Sequence, residues 1–199
     1  MQPKKQPRSN PGQRLGTRVQ PEEALQKASS DLLRKVPPHN TEAEQAVLGG
    51  VFLRNEILHT LVDTVSDEDF YSPVHRIIFQ AFQELYRRRE PVDLVTVAEH
   101  LQRRGQLDEV GGTVYLASLA ESVASAANAV FHAHIVRDKA VRRRLIQTSS
   151  EILTNCFEAG EETEVLLDQA EQQIFSIVES KGKPAFISSK HLVNRVFEQ

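Results

Sequence analysis

The chain of 199 residues contains no apolar run near the roughly 20 residues that a membrane-spanning helix needs, and no charged-then-apolar-then-small pattern at its start. Those two absences predict a soluble, unexported protein with no membrane partner. A single cysteine, Cys156, fits a reducing cytoplasm. No stretch alternates with period two for long enough to make a strand, which leaves an all-α chain. There is also no phosphate loop. Gly105 and Gly111 have the wrong spacing and no lysine, while Gly182-Lys183 is followed by Pro184, so ATP chemistry has no seat here. His132 and His134 stand two apart, a spacing that a helix points to different faces, so they do not form a metal pair. Cys156 sits among Ile152, Leu153 and Phe157 and reads as a buried, inert thiol rather than a nucleophile. No catalytic, cofactor-binding or metal-binding residue is predicted in this chain.

What is present is apolar residue at 40%, enough for an ordinary core, and an uneven charge. Residues 1–36 hold eight basic and three acidic side chains, whereas residues 37–126 hold seven basic and fourteen acidic ones, so the net charge of −3 hides a basic end. Residues 1–20 are rich in Pro, Gly, Gln and basic residues and lack any apolar period, which predicts a disordered tail able to hold phosphate weakly or to serve solubility alone. Residues 21–35 space Leu25, Ala28, Leu32 and Leu33 for a short helix, stopped by Pro37-Pro38. Residues 1–36 are therefore read as a basic tail outside the fold.

Residues 37–126 predict a compact head of five short helices. Thr41 and Glu44 are spaced for a capping box ahead of the first, whose Gly49-Gly50 implies either close approach of another backbone or a local bend. Asn55 is placed to cap the second, with Ile57, Leu58, Leu61, Val62 and Val65 inward. Ser72-Pro73 suits the start of the third, where Val74, Ile77, Ile78, Ala81, Phe82 and Leu85 recur on one face. Arg87, Arg88 and Arg89 fall at its end, where cations suit the helix dipole. Asp93 caps the fourth, closed by Gly105, and the fifth follows Gly111-Gly112 with Leu116, Leu119 and Val123 inward.

Residues 127–180 predict an antiparallel hairpin of unequal arms, residues 128–157 and 163–180, joined by the polar turn at residues 158–162. The second arm matches only the distal half of the first, so residues 128–141 should pack on the head. Leu145, Ile146, Ser149, Ile152, Leu153, Cys156 and Phe157 spread wider than one coiled-coil seam. The second arm is expected to bury Leu166, Ala170, Ile174 and Ile177, with Leu167, Phe175 and Val178 near its edge. That surplus suits a wide internal contact or a subunit interface, and the second is favoured, with Leu145, Ile152, Leu167, Phe175 and Val178 as its predicted residues. Arg142-Arg143-Arg144 fans over several faces with no aromatic interleaved, which favours a solvated face or a protein contact over nucleic acid. Residues 181–199 read as a linker and a further helical start with Leu192, Val193, Val196 and Phe197 on one side, and its unused apolar face predicts a chain that continues.

Several segments in one order then carry a resemblance: VPPHNTEAEQAVLGGVF (36–52), DFYSPVHRIIFQAFQELY (69–86), PVDLVTVAEHL (91–101), GGTVYLASLA (111–120) and ANAVFHAHIVRDKAVRRRLIQ (127–147). Together they resemble the N-terminal part of bacterial replicative DNA helicases of the DnaB type. The resemblance implies dimers building a collar on a hexameric ring, a hairpin that receives primase, and a linker helix in which Leu192, Val193, Val196 and Phe197 dock on a neighbouring motor domain. It also implies a helicase loader, and ATP, Mg and single-stranded DNA bound by a motor domain that these residues do not include. A free-standing helical adaptor or oligomerisation module acting on a helicase is the alternative.

Overall fold

The computed structural model describes residues 35–158, 160 and 162–179. The expected N-terminal tail up to residue 34, and the linker with Leu192, Val193, Val196 and Phe197, lie outside the described residues. Pro38–Gln199 is one unit of the structure, and every helix below belongs to it. Seven α-helices and no strand occur among the described residues: α1 Thr41–Leu53, α2 Leu58–Thr64, α3 Pro73–Arg87, α4 Leu94–Arg103, α5 Gly112–Glu121, α6 Ala129–Phe157 and α7 Thr163–Glu179.

Helix α1 is the centre of the head and packs against α3, α5 and the start of α6. Its Val47, Leu48 and Val51 are fully buried, and Gly49 and Gly50 are buried beside them. An added Cβ on Gly49 would stand 2.2 Å from the Leu119 carbonyl oxygen, and one on Gly50 would stand 2.8 Å from the Ala129 Cβ. The glycines therefore mark close approach by α5 and α6. Helix α3 buries Ile78, Phe79, Ala81, Phe82 and Leu85, with Phe52 edge-on to Phe82 at 5.1 Å. The proximal part of α6 packs as expected, burying Ala129, Ala133, Val136, Ala140 and Val141; its small side chains let α1 come close.

Helix ends show where local reading failed. Asn40, not Thr41, caps α1, its Oδ1 accepting from the Ala43 amide at 2.9 Å, and Glu44 turns away from its own helix. Asn55 opens a 3-10 turn and makes no capping bond, and the Ser72 side chain makes none to α3. Asp93 does cap α4 through the Thr96 amide at 2.8 Å, and that bond holds its carboxyl below the ordinary range. Helix α3 closes with the Arg89 amide on the Tyr86 carbonyl and the Glu90 amide on the Leu85 carbonyl, both at 3.0 Å, which sets Arg89 in the left-handed region at φ 59°. Gly105 takes the equivalent place after α4 at φ 69°. Replacing Arg89 with glycine is expected to raise stability by about 1 kcal/mol, read as a higher urea midpoint at unchanged slope.

Candidate interaction surface

The hairpin projects from a pinned junction. Residues 142–144 form the pin. Arg142 pairs along its own helix with Asp138 at 3.0 Å, in water. Arg143 turns inward and donates to the Pro38 carbonyl at 2.9 Å and to the Asp69 carbonyl at 2.5 Å, its guanidinium 5.7 Å from the centre of the Tyr71 ring. Tyr71 is stacked on its other partner, His39, at 4.3 Å. Arg144 donates to the nearly buried Asp69 carboxylate at 2.7 Å, and Arg137 donates to the Thr64 carbonyl. Burial pulls the Arg143 pKa down, and the Glu44 and Asp69 carboxylates work against that pull. Two of the three consecutive arginines are thus intramolecular clamps, which refines the expectation of a solvated or protein-contacting run.

The clamp is extended by a polar network that sequence reasoning missed. Glu44 is 1% exposed and accepts from the Tyr71 amide at 2.6 Å, the Ser72 amide at 3.3 Å and His75 Nδ1 at 2.7 Å. His75 Nε2 and the Tyr115 hydroxyl share a further bond of 2.8 Å. A side chain of α1 therefore satisfies the amides leading into α3 and ties both helices to α5. Its signal lay in the stripe: Glu44, Val47, Leu48 and Val51 share a face, as do His75, Ile78, Phe79 and Phe82.

Helix α6 also packs against α7, the second arm of the hairpin. Between the arms, Ile152, Asn155, Cys156, Leu166, Gln169, Ala170 and Gln173 line a small gap, and Ile177 on α7 is 5% exposed. Gln173 Oε1 is buried there with no hydrogen-bond partner among the described residues. Two expectations are corrected. Ile174 is 47% exposed, because Gln173 takes the inward position, and Cys156 is exposed rather than buried. Of the predicted interface residues, Leu145, Leu167, Phe175 and Val178 are 43%, 65%, 58% and 55% exposed, while Ile152 lies half-buried in the seam. Ile146, Leu153, Phe157 and Val165 are exposed as well. Clusters of three or more His, Cys, Asp or Glu suited to a metal do not occur among the described residues, and no single helix there is long and apolar enough to cross a membrane.

A head of five helices from which a long arm and a shorter return arm extend also occurs in known proteins. The family model for the DnaB-like helicase N-terminal domain matches residues 36–138. The chain belongs to that family. The replicative DNA helicase DnaB of Haemophilus influenzae is 42% identical over 73% of this chain and 31% of its own length. DnaB of Geobacillus stearothermophilus is 41% identical over 82% of this chain and 36% of its own length. The chain thus spans about a third of the length of these curated relatives. The crystal structure of the N-terminal domain of DnaB helicase from Mycobacterium tuberculosis superposes with a TM-score of 0.68 at 37% identity, covering 71% of this chain and 99% of that one. A DnaB-like replicative helicase studied with its interactions with primase shares the fold, with a TM-score of 0.60 at 24% identity over 80% of this chain and 35% of that one. The family match falls on the head and the start of α6 as far as residue 138, and the rest of the hairpin lies beyond it.

Proposed function

We propose that this chain is the collar-forming N-terminal portion of a replicative DNA helicase, divided as residues 1–36, a basic tail; 37–126, the head; 127–180, the hairpin; and 181–199, the linker. The observation that carries this reading is the uncovered apolar surface of a hairpin whose base is clamped to the head. A patch of Leu145, Leu167, Phe175 and Val178 left in water favours association, and the clamp holds it at a fixed angle to the head. A second copy covers it, pairs of copies build the ring's collar, and the same region receives primase. The whole protein would couple ATP hydrolysis to 5′-to-3′ unwinding in the cytoplasm, with a loader placing it on DNA. ATP and Mg would belong, by the family resemblance, to a motor domain, and no step through them is assigned to this chain.

Light scattering coupled to size exclusion tests assembly. The wild-type chain should elute as a dimer or larger, and Phe175→Asp should elute as a monomer with unchanged helical circular dichroism. Ile177→Asp instead places an unpaired charge at a buried position and should lose helicity. A wild-type chain that stays monomeric at high micromolar concentration defeats the assembly reading. Titration with the cognate primase tests the other half: Phe175→Asp or Leu167→Asp should weaken binding, and full affinity in both would remove primase from this face.

A further inference from the structure

The hairpin does not use the most basic surface of the head. Helices α3 and α4 pack side by side, and their C-terminal ends bring Arg88 together with Arg103 and Arg104 around an open hollow of about 280 Å³ that also includes Glu84 and His100. Arg87 and Arg89 flank Arg88 in sequence, and all three are exposed. Two of the nearby carboxylates are committed, and Glu90 follows the arginines in sequence. Glu84 pairs with Arg104 and with His100 at 3.0 Å, and Glu99 pairs with Arg103 at 3.6 Å. Arg87, Arg88 and Arg89 make no ion pair among the described residues.

A helix dipole explains a cation in the last turn, and so it accounts for Arg87 and Arg103. It does not account for Arg89, which lies beyond the helix in a left-handed conformation that glycine would adopt without strain. Tyr86 supplies the second half of the argument. It is 43% exposed and directly precedes the arginines. At about 100° per residue it lies on the other flank of the helix end from Glu84 and Arg88, with Arg87 on the outward ridge between them. A chain crossing this end meets a cation, a second cation and then an aromatic ring. Guanidinium groups beside an exposed ring suit a polyanion that carries planar groups, because phosphates take the forks and a base stacks on the ring. In the Arg142–Arg144 segment the ring beside Arg143, Tyr71, is already stacked on His39, and two of the arginines are used inside the molecule.

We propose that the joined ends of α3 and α4 bind single-stranded nucleic acid, with Arg87, Arg88 and Arg103 on phosphates and Tyr86 stacked on a base. The site is separate from the hairpin and holds whether or not the hairpin assembles.

The test uses the full chain and fluorescence anisotropy with oligothymidylate of about 16 nucleotides. Arg87→Glu/Arg88→Glu should lower affinity at least about tenfold and reduce the slope of log affinity against log salt by about two. Tyr86→Ala should lower affinity about tenfold and leave the slope unchanged. These side chains are exposed, so melting curves should match the wild type. Arg14→Glu/Arg18→Glu provides the control in the basic tail. If the tail variant abolishes binding while Arg87→Glu/Arg88→Glu leaves it intact, the tail is the site and the proposal falls. If polyglutamate of equal charge binds as tightly as oligothymidylate and Tyr86→Ala changes neither, the surface takes an acidic polypeptide, and the proposal falls as well.

Discussion

Gly49→Ala is expected to lose at least about 3 kcal/mol of stability, although alanine is the better helix former by about 1 kcal/mol. The reason is contact geometry. The new Cβ would lie 2.2 Å from the Leu119 carbonyl oxygen and 2.7 Å from the Val123 Cγ2. Backbone cannot rotate aside as a side-chain tip can, so α1 and α5 must separate, and every buried residue between them loosens. Gly50→Ala should cost less, since its nearest neighbours are side-chain atoms, Ala129 Cβ at 2.8 Å and Ile57 Cδ1 at 3.4 Å. Gly160→Ala, with nothing within 4 Å, should be close to neutral. Urea unfolding of the three variants gives the ranking, with a midpoint loss of about 1 M or more for Gly49→Ala. A wild-type midpoint for that variant would mean that α1 and the end of α5 do not touch.

The same glycine pair shows how far the sequence could be read. A glycine pair inside a helical stripe is legible as a close approach or a bend, and the structure selects the first, with α5 on one glycine and α6 on the other. Legible too were the helices themselves, because long apolar stripes such as Ile78, Ala81, Phe82 and Leu85 allow one inward face. Cap assignments were less secure. Thr41 and Glu44 have the spacing of a local cap, but Glu44 falls on the stripe of Val47, Leu48 and Val51, and burial carries it to partners in α3. A spacing rule sees four residues, whereas the competing bonds came from residues 27 to 31 positions away. The second arm failed for another reason. With apolar residues on several faces, α7 has no unique inward side, so its phase is set by α6, and Gln173 rather than Ile174 faces the seam. The exposed apolar positions were legible because of that excess: an arm with more apolar positions than one seam covers must leave some in water. The arginine clamp was not legible, since nothing in three successive arginines shows that carbonyls of Pro38 and Asp69 lie within reach.

Glu44→Ala should be the most damaging substitution of a charged residue in the head. It removes the acceptor for the Tyr71 and Ser72 amides and for His75 Nδ1, at a site 1% exposed where water does not replace it. Three donors left without a partner in the interior should cost about 3 kcal/mol or more. Glu44→Gln keeps one oxygen for the Tyr71 amide but places an NH2 group against the Ser72 amide and His75 Nδ1, so it should fall between alanine and wild type. The pH dependence separates charge from shape. Burial alone raises the Glu44 pKa, but the His75 bond, the two amides and the charge attraction to His75 outweigh it, and the carboxyl is held below its ordinary value of 4.5. A depressed folded pKa means that the carboxylate's stabilisation is complete above the unfolded value and is lost as pH falls through the folded one. The advantage of wild type over Glu44→Gln should therefore be level above about pH 6 and shrink steadily towards about pH 3, because only the wild type must protonate this group. Glu84 and Asp93, also held low, titrate in both proteins and cancel in the difference. Urea midpoints across that range measure it directly. A difference that stays constant down to the acid limit would show that Glu44 acts through its shape and hydrogen bonds alone, without its charge.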